Sequence, residues 1–375
     1  MSAPVFVLGR FPPPADGQTL ATERCAAFLD EAFDVRRLDT QAPGPDPLTA
    51  HPRFDLARAR HYLGLRRRLA EALGRAPAAP VLWQAVSPAP WGHLRDVLAT
   101  VPALAPSQPL VAVVHRAGFE ALSGSALTAW TSRRLVRRVD AFVFLSRALA
   151  DRSASVVPEA KIRVVPNTVR EALLPSADAV VERRSRGPGT PLQVLFLSNL
   201  MPEKGFADVL EALGLLRQRG VAAELTVAGR WPGDAARAAF EARANALRVT
   251  ARLTGPVSAA DDVARLHLAA DVFALPTTHP TESQPVSVLE ALAAGTPVVS
   301  TDRPILRDIL TDGVEGALVR PHDPAALAEA LRALTDPSRW RAASAAARAR
   351  FDRAFHPDVV GARWRDLAAE WTTRG

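Results

Sequence analysis

The sequence predicts an α/β protein made of two Rossmann-like, doubly wound domains. Three observations lead there. Short apolar runs that read as buried parallel strands recur along the chain and alternate with helical segments. Residues 171–190 carry no hydrophobic period, end in Gly-Pro-Gly-Thr190, and read as a linker dividing those runs into two sets. The 375 residues suffice for two domains of ordinary size.

In the first set, Val5–Leu8 is a strand, followed by a Pro-rich loop through Gln18 and a helix from about Thr19 to Phe33. That order opens a doubly wound domain. The loop lacks G-x-G-x-x-G, which argues against a dehydrogenase-type dinucleotide site. Val35–Asp39 is a second strand, residues 40–54 are Pro-rich and irregular, and a helix runs from about Asp55 to Leu73. Its arginines 58, 60, 66, 67 and 68 alternate with apolar residues, a pattern fitting either a solvated helix on a sheet or contact with an anionic membrane surface. Val81–Gln84 and Leu110–Val114 are further buried strands. His115, beside Arg116 at the end of the latter, is placed either to meet a ligand or to serve as a structural histidine. Arg116 fits an acidic group on a ligand or a surface salt bridge. A basic helix from Thr128 to Val139, a strand at Ala141–Ser146 and a strand and turn over Lys161–Val169 complete the set.

The second set opens with Gln193–Leu197, then Ser198–Gly205 and a helix from Phe206 to Gln218. Lys204, after that strand, is one of only two lysines in the chain. Its compact, hydrated ammonium suits the charge that builds on a departing diphosphate, although a plain helix-start lysine is the alternative. Leu225–Gly229 and Ala251–Gly255 are strands, and Ala259–Ala270 is a helix. Asp271–Leu275 is a buried strand that stops at Pro276. Pro285 suits the first turn of the next helix and Gly295 its left-handed end, before the strand Pro297–Ser300. A helix spans Pro324–Leu334, and the tail 351–371 is amphipathic.

Within the helix from Val286 to Ala294 one residue stands out. Glu290 is a carboxylate on a helix that is apolar nearly all round, so it needs donors. Glu282 lies in the loop ahead of it, at the edge where open α/β sheets bind ligands. Two carboxylates spaced E-x7-E can hold two hydroxyl-rich parts of one ligand, while the free amides at Val286 and Ser287 face its phosphates. On the residues alone, a solvated edge for Glu290 and an ordinary loop charge at Glu282 fit as well.

The stretch Glu282-Ser-Gln-Pro-Val-Ser-Val-Leu-Glu290-Ala-Leu-Ala-Ala-Gly295-Thr-Pro297-Val-Val resembles the nucleotide-sugar signature of the retaining GT-B glycosyltransferases of family 4. It departs at Gln284-Pro285, where the family more often has Phe-Gly. Lys204-Gly205 is similar to the family's Gly-Arg-x-x-x-x-Lys-Gly, with Asn199 in place of the arginine and Arg230 or Arg252 as substitutes. The Pro12-Pro13-Pro14-x-x-Gly17 loop and Val165-Pro166-Asn167-Thr168-Val169 match first-domain motifs more loosely; a simple turn glycine is the alternative for Gly17.

The resemblance implies two domains facing across a cleft: an acceptor-binding domain over 1–180, a nucleotide-sugar domain over 190–345, and a terminal helix over 346–375 crossing back. It implies same-face transfer of a sugar from a UDP- or GDP-linked donor to an acceptor hydroxyl, the leaving phosphate taking the proton. Glu290 would accept from the ribose and Glu282 from the transferred sugar. Lys204, with the amides of Val286 and Ser287, would stabilise the diphosphate. Gly17 and His115 would line the first-domain wall. No metal or other cofactor is expected.

Composition bounds the remaining alternatives. One cysteine, Cys25, excludes an internal disulfide and fits a reducing compartment. No apolar window is long enough to span a bilayer, and no basic leader precedes the first strand, so a cytoplasmic protein is expected. Residues 1–170 hold 22 basic against 14 acidic groups, net +8, and residues 171–375 hold 24 against 25, net −1. The first half is therefore where an anionic partner docks: a glycan, a lipid-linked or other small acceptor, with peripheral contact at the inner membrane face. Aromatics are too few and too scattered for a nucleic-acid stacking surface. A GT-B-type epimerase, a phosphorylase and a basic binding protein remain as alternatives.

Overall fold

The computed structural model describes residues 3–13, 17–41, 56–84, 86–87, 92–93 and 96–373. It divides into two compact units, Met1–Asn167 with Val360–Gly375, and Thr168–Val359. The loop residues Pro14–Asp16, most of the Pro-rich stretch 40–54, the expected helix start at Asp55 and the Arg58 side chain lie outside the described residues.

The first unit contains β1 (Pro4–Gly9), α1 (Gly17–Asp30), β2 (Asp34–Asp39), α2 (Leu56–Leu73), β3 (Val81–Trp83), β4 (Leu110–Val114), α3 (Ala126–Arg138), β5 (Ala141–Phe144), α4 (Arg147–Arg152) and β6 (Ile162–Val164). Its sheet is parallel throughout, in the order β2-β1-β3-β4-β5-β6. The strand order reverses between β1 and β3, the place where such sheets bind ligands beyond their carboxyl ends. Strand alternation sends Val5 and Val7 into one core, with Leu82, Val111, Val113 and Val143. α1 presents Cys25, Ala26 and Leu29 to that core, a helical spacing. Val360, Trp364, Leu367, Ala368 and Trp371 of the last helix pack there too. Ion pairs Arg365–Glu31, 2.5 Å, and Arg163–Glu370, 3.2 Å, hold the same segment.

The second unit holds α5 (Ala177–Arg186), β7 (Leu192–Leu197), α6 (Phe206–Gln218), β8 (Ala223–Ala228), α7 (Asp234–Leu247), β9 (Thr250–Gly255), α8 (Ala260–Ala269), β10 (Val272–Leu275), α9 (Val286–Ala293), β11 (Val298–Thr301), α10 (Pro304–Arg307), β12 (Gly316–Val319), α11 (Pro324–Ala333) and α12 (Pro337–Ala354), while α13 (Pro357–Thr372) belongs from Val360 on to the first unit. Its parallel sheet has the order β12-β11-β10-β7-β8-β9. The reversal here falls between β7 and β10, so the loops after these two strands share the switch point. Gly295, with φ +65°, ends α9 in the left-handed conformation that its position demands.

Residues 171–190 are not a plain linker: they include α5. Ser176 caps it, its side chain accepting from the Ala179 amide. Only Val180 and Arg183 are buried on this helix, which is why it shows no hydrophobic period. Arg183 does the packing. Its guanidinium donates to the carbonyls of Leu268, Gly295 and Ala270 and stacks 4.7 Å over the Trp340 ring. Burial pulls its pKa down to about 10, opposed by the Asp271 carboxylate, so it remains a cation at neutral pH. The helices α7 and α12 also lack bulky stripes: α7 buries Phe240 and Ala244, and α12 packs largely through Ala343, Ser344 and Ala347 around Trp340 and Phe351.

Candidate functional site

The loop after β7 and the loop after β10 are stitched together at the switch point. Gly205, φ +81°, starts α6, and a Cβ there would lie 2.4 Å from the Pro276 carbonyl oxygen. Only glycine allows this approach. The Thr278 amide donates to the Glu203 carbonyl, 2.7 Å. These contacts set Lys204 opposite Glu282, and Lys204 Nζ lies 2.5 Å from Glu282 Oε2. The side chains are 14% and 11% exposed, so the pair is largely withdrawn from water yet reachable.

Thr277 completes this cluster. Fully buried at the end of β10, its Oγ1 lies 3.2 Å from Glu282 Oε2 and 3.3 Å from the Glu203 carbonyl. One hydroxyl proton serves both acceptors, so Thr277 orients the carboxylate while the ammonium supplies charge. Beneath it Thr301 Oγ1 donates to the Thr277 carbonyl, 2.5 Å, and Arg303 Nη1 to the His279 carbonyl, 2.9 Å. In the sequence Thr277 is only the residue after the Pro276 that ends the strand; its link to Glu282 emerges from the fold.

α9 begins after Pro285 with no side-chain cap. The amides of Val286 and Ser287 make no backbone hydrogen bond among the described residues, leaving two donors at the positive end of the helix dipole. Glu290 stands one turn along. Its Oε2 lies 3.6 Å from Nε2 of His267, a buried residue on α8.

Asn199 is exposed on the loop after β7. The Leu200 amide donates to the Arg230 carbonyl, 2.9 Å, which brings Arg230 beside that loop. Arg230 is exposed and in no ion pair among the described residues. Arg252 is different: it pairs with Thr226 inside β9, about 10 Å of strand back from Gly255 at the sheet edge. Of the two arginines, Arg230 is therefore the one whose backbone is bonded to the loop that carries Asn199.

In the first unit, His115 follows β4 and its Nε2 lies 2.9 Å from Oε1 of Gln84, the buried residue after β3. With the amide oxygen as acceptor, the imidazole carries its proton on Nε2. Gln84 Nε2 in turn reaches Cys25 Sγ at 3.0 Å, and burial pushes the Cys25 thiol pKa up. Gln84, missed in the sequence, thus sets the tautomer of His115. Arg116 is exposed and in no ion pair among the described residues. Gly17 begins α1, and a Cβ there would meet nothing within 4 Å. Among the described residues, no protein contact requires glycine at 17.

Residues 18–173 match the family model described as Glycosyltransferase Family 4, and residues 191–336 the model described as Glycosyl transferases group 1. A glycogen synthase of Mycobacterium tuberculosis is 32% identical over 292 residues, which is 72% of this chain and 66% of that protein. A phosphatidyl-myo-inositol mannosyltransferase of Mycobacterium leprae is 36% identical over 171 residues, 45% of this chain and 43% of that protein. The matches thus span from under half to just under two thirds of the length of these relatives. Among solved structures, Anabaena HepE in complex with UDP and glucose superposes with a TM-score of 0.70 at 16% identity, covering 98% of this chain and 100% of that one. Sucrose-phosphate synthase from Thermosynechococcus elongatus superposes with a TM-score of 0.72 at 17% identity over 100% of both chains.

Proposed function

Because the chain belongs to the group 1 glycosyltransferases of family 4 and has their GT-B fold, we propose that it transfers a sugar from a nucleoside-diphosphate donor to an acceptor hydroxyl with retention of anomeric configuration. The observation that carries this reading is the Lys204–Glu282 pair beside the uncapped start of α9. The ammonium has three N–H groups and gives one to Glu282, leaving two for a diphosphate. The amides of Val286 and Ser287 and the helix dipole add to it, and Arg230 takes the part of the arginine that Asn199 replaces. Glu282 accepts from hydroxyls of the transferred sugar and Glu290 from the ribose. HepE, solved with UDP and with UDP-glucose, supports a nucleotide-sugar donor.

In the proposed step the acceptor oxygen attacks the anomeric carbon on the face that the diphosphate leaves. The bond from that carbon to the phosphate oxygen breaks, and the phosphate oxygen takes the acceptor proton. Lys204 and the helix amides hold the charge that develops on the diphosphate, so the scheme needs no metal. Acceptor binding is assigned to the first unit, with His115 and Gly17 as contributors.

The donor reading is tested by calorimetric titration with UDP, GDP and ADP and their sugars. Saturable binding of one nucleotide class, weakened in Glu290→Ala and Lys204→Ala, supports it; no binding of any contradicts it. Retention is read from the anomeric proton coupling of the product by NMR.

We further propose that the acceptor is presented at an anionic membrane surface. On α3, Leu127 and Trp130 are 65% and 51% exposed, Arg134 stacks 5.0 Å over the Trp130 ring, and the helix has no acidic residue. Apolar and arginine side chains on one exposed face support interfacial docking. The exposed Arg60, Arg66, Arg67 and Arg68 of α2 add to the basic surface. No helix among the described residues is long and apolar enough to cross a membrane. Unchanged sedimentation with phosphatidylglycerol vesicles after Trp130→Ala and Arg134→Ala would contradict docking through α3.

A further inference from the structure

His267 is 1% exposed, and neither ring nitrogen has a hydrogen-bond partner among the described residues. Buried polar groups are almost always satisfied, so an imidazole with two unmet nitrogens calls for a role. Its position is fixed from two sides. The ring packs at a tilt on Phe273, centroids 5.2 Å apart, and its carbonyl accepts from Thr296 Oγ1 at 2.8 Å. What remains open to the ring is Glu290. Its Oε2, 3.6 Å from Nε2, belongs to the one acidic side chain within 4.0 Å of the imidazole among the described residues. That separation is a few tenths of an ångström beyond an N–H···O bond, and a carboxylate turns easily about its last torsion.

We propose that His267 is a positioning residue for Glu290: Nε2–H donates to the carboxylate and holds it toward the ribose hydroxyls of a bound nucleoside diphosphate. This inference rests on the reading of Glu290 as the ribose contact. A carboxylate has about four acceptor sites, so one bond from the imidazole leaves capacity for two hydroxyls. The imidazole itself stays behind α9 and touches no ligand. A rigid supporting donor is what such a contact needs, because a carboxylate that swings among rotamers loses the geometry that distinguishes a ribose from a deoxyribose.

The test measures binding of UDP, GDP and their 2′-deoxy and 3′-deoxy analogues to wild type, H267F, H267Q and E290A, with melting temperatures for each. Wild type should prefer the ribonucleotide. H267F, which keeps an aromatic ring beside Phe273, should lose about tenfold in affinity for the ribonucleotide and most of the discrimination against the deoxy forms, whereas H267Q, which retains an N–H donor, should restore much of both. The double variant H267F/E290A should bind no worse than E290A. If H267F does not fold, H267M is compared with H267Q in the same way. Wild-type discrimination in the apolar variant, while E290A loses it, overturns the role of His267. Wild-type binding and discrimination in E290A overturns the ribose reading of Glu290, and the inference with it.

Discussion

Lys204 and Glu282, 78 positions apart in the chain, meet as an ion pair of 2.5 Å at the carboxyl edge of the second sheet. Two groups chosen from the sequence for separate jobs are thus one electrostatic unit. Each compensates the other's charge in a place where an unpaired charge is expensive. Removing the ammonium therefore also strands the carboxylate.

Lys204→Ala is expected to lower kcat by about a hundred- to a thousandfold, as loss of a preorganised charge-stabilising donor does. Glu282→Gln should lose less, because it keeps an acceptor for sugar hydroxyls. Thr277→Val, which removes the hydroxyl at 3.2 Å from the carboxylate, should lie between wild type and Glu282→Ala. Steady-state kinetics on the four variants sets that order.

Arg230→Ala should raise the donor KM by about tenfold, and Arg252→Ala should leave it unchanged, since Arg252 sits back along β9. Equal effects of the two would remove Arg230 from the donor site.

Arg183→Met is expected to destabilise the protein by roughly 3 kcal/mol or more, because the carbonyls of Leu268, Ala270 and Gly295 lose a buried donor. Chemical denaturation measures this. A loss below about 1 kcal/mol would show that the guanidinium is not what holds α5 in place.

His93 gives a pH dependence. It is buried, its Nε2 lies 2.9 Å from Thr131 Oγ1 on α3, and burial lowers its pKa below the usual 6.5. A depressed folded pKa means that the unfolded chain binds more protons between that value and 6.5. Stability from neutral His93 is therefore complete above pH 6.5 and is lost as pH falls through the folded pKa. His93→Gln should flatten the decline in melting temperature below pH 6.5.

Chelation is expected to leave activity intact, because Lys204 and the α9 amides supply the charge stabilisation in this scheme. Donor turnover measured with and without EDTA checks it; abolition by EDTA, restored by a divalent cation, would contradict the scheme.

The parts of this fold that were legible in the sequence are those whose side chains pack by simple periodicity. Strands such as Val5–Leu8 and Leu110–Val114 lie inside β1 and β4, and the helix read at Phe206–Gln218 has those ends. The signature around Glu282 and Glu290 was legible because prolines and glycines fix its turns. What escaped was packing by unusual means: α5 is held by one buried arginine, α12 by small residues, and β12 is four residues on a sheet edge. In the site itself, the sequence offers single residues but not their partners. Nothing along the chain links Gln84 to His115 or His267 to Glu290: the first pair is made by neighbouring strands β3 and β4, the second by the helices α8 and α9 on either side of β10.

The most direct test of the central claim is release of free nucleoside diphosphate from a panel of UDP-, GDP- and ADP-sugars, by wild type, Lys204→Ala and Glu290→Ala, with acceptor mixtures added. The account predicts turnover of donors sharing one nucleotide, severely reduced in both variants. Turnover that survives in both, or no turnover and no binding of any of these donors, would contradict it.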